Sequence, residues 1–151
     1  MDAPLGSLLR VCSLLNAHGA HYLVIGGYAC ILHGLVRTTE DVDVLIEESE
    51  ENYLKVRDAL AELPDHAARE LTADDFAENV IIKVADAVEV DVSRRAWKVD
   101  YASAARAAQR RTIDGIEVPF LDIPHLILSK QTYREKDAAD RVLLERLQDS
   151  R

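Results

Sequence analysis

"IGGYACILHGLVRTTEDVDVLIEE", residues 25–48, decides how this chain is read. It holds two adjacent glycines, Gly26 and Gly27, thirteen residues of mixed character, and then Asp41 and Asp43 separated by Val42. The apolar residues Val42, Val44 and Ile46 alternate with the two aspartates, the period of a β-strand with one face in a core. Asp41 and Asp43 therefore project to the same side, with carboxylates roughly 5–7 Å apart from the rise per residue. Two carboxylates so close repel, and one tends to keep its proton unless a cation intervenes. Hard oxygen ligands of this kind suit magnesium. Asp-x-Asp is also common on half-exposed strands, so the pair needs company before it points to chemistry.

Company comes from upstream and downstream. "VIGGYA", residues 24–29, puts the glycines where a strand gives way to a helix. Glycine allows a tight turn and a close backbone approach, and free N–H groups at a helix start favour anions. The stretch is neither a Walker loop nor a G-x-G-x-x-G loop, and a plain tight connection remains open as its reading. Downstream, "VEVDVS", residues 88–93, alternates Val88, Val90 and Val92 with Glu89, Asp91 and Ser93. If this strand lies beside residues 42–46, Asp91 joins Asp41 and Asp43. Three carboxylates on neighbouring strands make a site for one or two magnesium ions, which can hold the attacking and leaving oxygens of a phosphoryl displacement.

Elsewhere the pattern gives a helix over residues 5–17 stopped at Gly19, a strand at 21–25, a turn at Gly26–Gly27 and a helix over 28–35 closed by Gly34. Ser49 is a candidate N-cap for a helix over 50–63. "ARELT" (68–72) reads as a short strand. "NVIIKVAD" (79–86) and "AVEVDVS" (87–93) read as two strands, and residues 100–110 as an alanine-rich helix. "RTIDGIEVPFL" (111–121) is a hairpin turning at Asp114–Gly115. Pro124 suits the first turn of another helix, and "KDAADRVLLERL" (136–147) is a last helix with Ala138, Val142 and Leu143 on one stripe. This order predicts an α/β (α+β) fold, a mixed β-sheet with helices packed against it, in a single domain over 1–151.

Composition narrows the class. Apolar residues make up 48% of the 151, enough for an ordinary core, and the formal net charge is −9. That charge opposes a long nucleic-acid footprint held by phosphate neutralisation. It leaves room for a local basic surface, and "SRRAWK" (93–98) with "RAAQRR" (106–111) is either a solvated helix face or a patch for a polyanion. Trp97 either stacks a base or packs in the core or at its rim. The two cysteines, Cys12 and Cys30, read as buried thiols. No apolar run is long enough to span a membrane, and the N-terminus does not read as a signal peptide, so a cytoplasmic location is expected. The five histidines show no metal spacing.

In combination these segments resemble the DNA polymerase β-type nucleotidyltransferase superfamily. The resemblance rests on apolar-Gly-Gly at 25–27, Asp-apolar-Asp-apolar at 41–44 and apolar-Asp-apolar at 90–92. "RTTEDVDVLI" (37–46) is similar to the Arg-x-Thr-x-Asp-apolar-Asp segment of small prokaryotic nucleotidyltransferases related to the AbiEii-type (type IV) toxins. "LILSKQTYREKDAADRVLL" (126–144) is similar to their lysine-bearing helix and Arg-x-Lys-Asp-x-x-Asp segment. The resemblance implies a nucleotidyltransferase fold and a two-metal transfer of a nucleoside monophosphate from a nucleoside triphosphate, ATP among them, to an acceptor hydroxyl on RNA (tRNA included), a protein or a small molecule. It implies that Asp41, Asp43 and Asp91 ligate Mg2+ and are catalytic, with Asp91 helping to remove the acceptor's proton. Gly26, Gly27, Arg37, Thr39 and Lys130 are implied to bind nucleotide. Asp137 and Asp140 either orient Lys130 or cap the last helix. A toxin-like role with an antitoxin partner is implied, as is its alternative, a non-catalytic nucleotide-binding regulatory or toxin-antitoxin module. Many members carry serine where Gly27 stands. Many also add a helical acceptor domain, so a small acceptor or a partner chain completing the cleft is expected.

Overall fold

A computed structural model of the chain describes residues 5–132 and 134–150. The opening of the N-terminus, residues 1–4, and Tyr133 of the lysine-bearing segment lie outside them. The elements run α1 (Gly6–Ala17), β1 (Tyr22–Ile25), α2 (Gly26–Leu32), β2 (Val42–Ile46), α3 (Glu50–Leu60), α4 (Ala73–Glu78), β3 (Ile81–Ala85), β4 (Glu89–Ser93), β5 (Arg95–Ala96), β6 (Val99–Asp100), α5 (Tyr101–Ala104), β7 (Gln109–Ile113), β8 (Ile116–Phe120), α6 (Ile123–Ser129) and α7 (Glu135–Asp149). Six strands form one mixed sheet in the order β3-β4-β2-β1-β8-β7, and β5 and β6 form a separate ribbon. α1 packs on α3 and β8, α2 on β1 and β2, and α6 against α2 and α7.

The central strands explain why the sheet forms where it does. β1 is buried at every position, and β2 at every position except Asp43. Apolar side chains on both faces belong to a strand covered on both sides. The edge strands β3 and β7 are the exposed ones. β2 runs antiparallel to β1 and parallel to β4. One apolar cluster joins Leu8, Leu15, Val24, Val44, Leu60, Val90, Leu121, Leu126 and Leu144 across these elements. Cys12 and Cys30 are free and buried within it, as the sequence predicts.

Several expectations change in the fold. The glycine turn is tighter than read: Gly26, with φ of +68°, turns the chain out of β1 directly into α2, which starts there and not at Tyr28. Residues 68–72 form no strand, because the Asp86 carboxylate accepts from the Asp65 and Ala67 N–H groups, each at 2.9 Å, and holds the preceding segment in turns. The helix expected over 100–110 stops early, since β8 pairs with the chain from Gln109 onward. The stripe expected on α7 is rotated: Asp137, Asp140 and Leu144 are buried, while Val142 and Leu143 are 47% and 42% exposed. The predicted N-cap is present, with Ser49 Oγ accepting from Asn52 N–H at 3.2 Å. The hairpin turns at Asp114–Gly115, with positive φ at both. Among the described residues no helix is long and apolar enough to cross a membrane.

Candidate active site

Register delivers the three carboxylates. Asp43 of β2 is the direct partner of Asp91 on parallel β4, and Asp41 lies one residue before β2 begins. Alternation along each strand then turns all three toward the same cleft. The cleft, of about 450 Å³, is lined by Asp41, Asp43 and Asp91 together with Gly27, Arg37, Thr39, Lys130, Arg134, Lys136 and Asp137. Seven of the eight residues picked out in the sequence therefore line one cavity. The eighth, Gly26, lines an adjoining opening that shares Asp43 and Asp91 with it.

The glycines are there for space. A Cβ on Gly26 would overlap the Asp43 carboxylate, and one on Gly27 would stand 2.6 Å from Thr39 Oγ1. β1 pairs Ile25 with Asp43, so the residue after Ile25 must clear that carboxylate. Any side chain at Gly27 would push Thr39 and Arg37 off the first turn of α2.

Electrostatics make the carboxylate group unstable alone. Unit charges about 5 Å apart at an effective dielectric near 20 repel by about 3 kcal/mol. Accordingly the Asp43 carboxyl is pushed up to about 7, first by burial, then by hydrogen bonding to Asp91 and by the charges of Asp91 and Asp41, with Lys130 opposing. Lys83 on β3, the register partner of Asp91, sends its ammonium to 3.5 Å from Asp41 and 3.6 Å from Asp91. It is half exposed, so solvent screens it. Asp91 Oδ1 is buried and has no hydrogen-bond partner.

A buried acceptor without a hydrogen bond, its Lys83 partner 3.6 Å away, beside two further carboxylates is a donor set of the kind a hard divalent cation takes. The oxygen donors are of the type magnesium takes. Among the described residues no three or more His, Cys, Asp or Glu side chains are grouped so as to hold a metal ion as they stand. The Lys83 ammonium stands at that position, and a cation would have to displace it.

The cationic wall is tied down from behind. Lys130, just past the end of α6, is 6% exposed, and its ammonium lies 2.9 Å from Asp140 and 3.6 Å from Asp137 of α7. Arg37 pairs with the same Asp140, and Arg134 lies 3.8 Å from Asp137. Asp137 and Asp140 thus orient Lys130. Thr132 Oγ1 also donates to Asp137. Arg141 donates to the Lys130 carbonyl.

Sequence reasoning missed Lys83 as a member of the site. Its signal was one lysine inside the apolar run "VIIKVA" (80–85), but only the β3–β4 register reveals what it faces.

With this geometry in hand, the fold can be compared with known ones. No protein-family model matches the sequence, and no curated protein sequence matches it. Solved structures do. An antigenic nucleotidyltransferase-like protein from Paracoccidioides brasiliensis superposes with a TM-score of 0.61 at 20% identity, over 97% of this chain and 77% of that one. A provisionally assigned nucleotidyltransferase from Thermotoga maritima, TM1012, superposes with a TM-score of 0.56 at 15% identity, over 100% of this chain and 97% of that one. The chain shares the mixed α/β fold of these nucleotidyltransferase-like proteins.

Proposed function

We propose that the protein is a magnesium-dependent nucleotidyltransferase that moves a nucleoside monophosphate from a nucleoside triphosphate to an acceptor hydroxyl. The observation that carries the proposal is the register pairing of Asp43 with Asp91, which gathers three carboxylates at a cleft also lined by Arg37, Lys130, Arg134 and Lys136. Carboxylates and basic side chains in one cleft are what a triphosphate and its counter-cations need.

In this reading Asp41, Asp43 and Asp91 hold magnesium, which when bound neutralises charge on the attacking and leaving oxygens. Lys130 and Arg37 face the phosphates; Gly26, Gly27 and Thr39 shape the pocket beneath them. The acceptor oxygen bonds the α-phosphorus and the bond to pyrophosphate breaks. The hydroxyl proton passes to the Asp91 carboxylate and on to water. Positioning and charge neutralisation supply most of the acceleration.

A second reading, a nucleotide-binding regulatory module without turnover, is favoured by one observation. The Lys83 ammonium lies 3.5 Å from Asp41 and 3.6 Å from Asp91, where catalytic cations would have to sit.

Incubating the protein with each α-labelled triphosphate, magnesium and cell lysate separates the two. Label transferred to an acceptor and lost in Asp43→Ala supports the enzyme. Tight nucleotide binding without transfer supports the module. The resemblance to AbiEii-type proteins extends the proposal to a toxin-like role in the cytoplasm, opposed by an antitoxin partner. Growth arrest on expression, relieved by Asp43→Ala, is its expected sign.

A further inference from the structure

A second cleft of about 320 Å³ opens beside the first. Asp43, Asp91, Lys130, Arg134 and Asp137 line both, so the two meet at the carboxylates. Its remaining walls include Trp97, Ile81, Arg95 and Ala96. Trp97 is the only tryptophan of the chain. It occupies the first position of the two-residue turn joining β5 to β6, with φ of +58°. Turns of that kind ordinarily take glycine there, and a bulky side chain in the left-handed region is disfavoured. Trp97 is nonetheless 49% exposed, and Ile81, on the same cleft, is 59% exposed. The Arg95 side chain is 61% exposed and only at the 4.0 Å limit of an ion pair with Glu48. An exposed indole held in a disfavoured conformation at the rim of a carboxylate centre is what a ligand platform looks like.

We propose that this cleft seats the acceptor, and that the acceptor presents its hydroxyl on a nucleotide. The base lies on the Trp97 indole and the adjoining backbone phosphate faces Arg95 and Arg134. A flat ring with guanidinium groups around it selects a planar anionic group. An aliphatic hydroxyl side chain makes no use of the indole. With a net charge of −9, the contact is confined to the terminal nucleotide of a strand. This inference rests on the transferase reading: the terminal hydroxyl oxygen bonds the α-phosphorus, the bond to pyrophosphate breaks, and the proton leaves through Asp91, which faces both clefts.

Trp97 is its own reporter. A short single-stranded oligoribonucleotide with a free 3′ hydroxyl, added to the full chain without metal or triphosphate, should quench Trp97 fluorescence saturably. This readout needs no turnover, so a failed transferase reading does not mask acceptor binding. Anisotropy of the labelled oligonucleotide should show affinity falling at least about fivefold in Trp97→Gly and in Arg95→Glu, and little in Trp97→Phe. Trp97→Gly should melt at or above the wild-type temperature, because glycine relieves the left-handed turn; a merely structural tryptophan would instead lower it. Absence of quenching overturns the proposal. So does oligonucleotide affinity unchanged in Trp97→Gly and Arg95→Glu. Quenching by a triphosphate with magnesium that the oligonucleotide cannot displace also overturns it, and would assign Trp97 to the donor's base.

Discussion

Burial and two neighbouring carboxylates hold the Asp43 carboxyl at about 7, against an ordinary 3.8. The sign of the consequence follows. Between about pH 4 and pH 7 the folded chain keeps a proton on Asp43 that the unfolded chain has released, so this group's contribution to metal-free stability falls as pH rises through that window. Denaturant titrations in the presence of a chelator should show this slope in the wild type and lose most of it in Asp43→Asn. That variant should also lose transfer activity by on the order of 10³-fold, since several kcal/mol of charge stabilisation go with the ligand. Magnesium binding near pH 6 should release protons, read as a dependence of the calorimetric heat on the buffer's ionisation enthalpy. At Gly26 the demand is steric. Gly26→Ala places a Cβ in the left-handed region against the Asp43 carboxylate. It should cost at least about 1–2 kcal/mol in a thermal or denaturant melt. These residues were legible in sequence as a pattern: glycines after a strand, then Asp-x-Asp at period two. Why glycine is needed was not, because the answer is the position of Asp43 across the β1–β2 pair.

α7 shows how charge overrides an apolar stripe. Its sequence offers Ala138, Val142 and Leu143 as the inward face, yet Asp137 and Asp140 are the residues buried. Two short acidic side chains win because Lys130 and Arg37 await them, each nearly buried and each costly to leave unpaired. Asp140→Ala removes the shared partner of both cations. It should destabilise the fold by about 3–5 kcal/mol in equilibrium unfolding, the usual cost of leaving a buried charge uncompensated. A loss well under about 1 kcal/mol would show that α7 is held by Leu144 and its neighbours instead. Lys83 carries the same lesson for β3. Strand periodicity marks residues 81–85 as a strand, but which carboxylates a lysine there faces depends on pairing with β4. The β2 strand, the 114–115 hairpin turn and the Ser49 cap were readable because each is set by a few adjacent residues. The 68–72 segment was misread because its conformation is fixed from a distance, by Asp86.

For the whole molecule, identities of 15–20% with nucleotidyltransferase-like structures accompany overlap of nearly the entire chain. Three features place the carboxylates in this chain: buried central strands, parallel pairing of β2 with β4, and room beside β1 for a carboxylate. The positions that supply those features are few and close in sequence around 25–46 and 88–93, which is why the fold class could be read without a structure. The cleft's second half, around Trp97, could not, because the β5–β6 ribbon comes near the carboxylates only in three dimensions. The central claim is that Asp41, Asp43 and Asp91 jointly bind divalent cations under a triphosphate. Crystals grown with manganese and a non-hydrolysable triphosphate test it most directly through anomalous scattering. The account predicts manganese peaks within about 2.0–2.3 Å of carboxylate oxygens from all three aspartates, with Lys83 displaced. Triphosphate bound in the cleft with no manganese on Asp91, or manganese elsewhere on the surface, would contradict it.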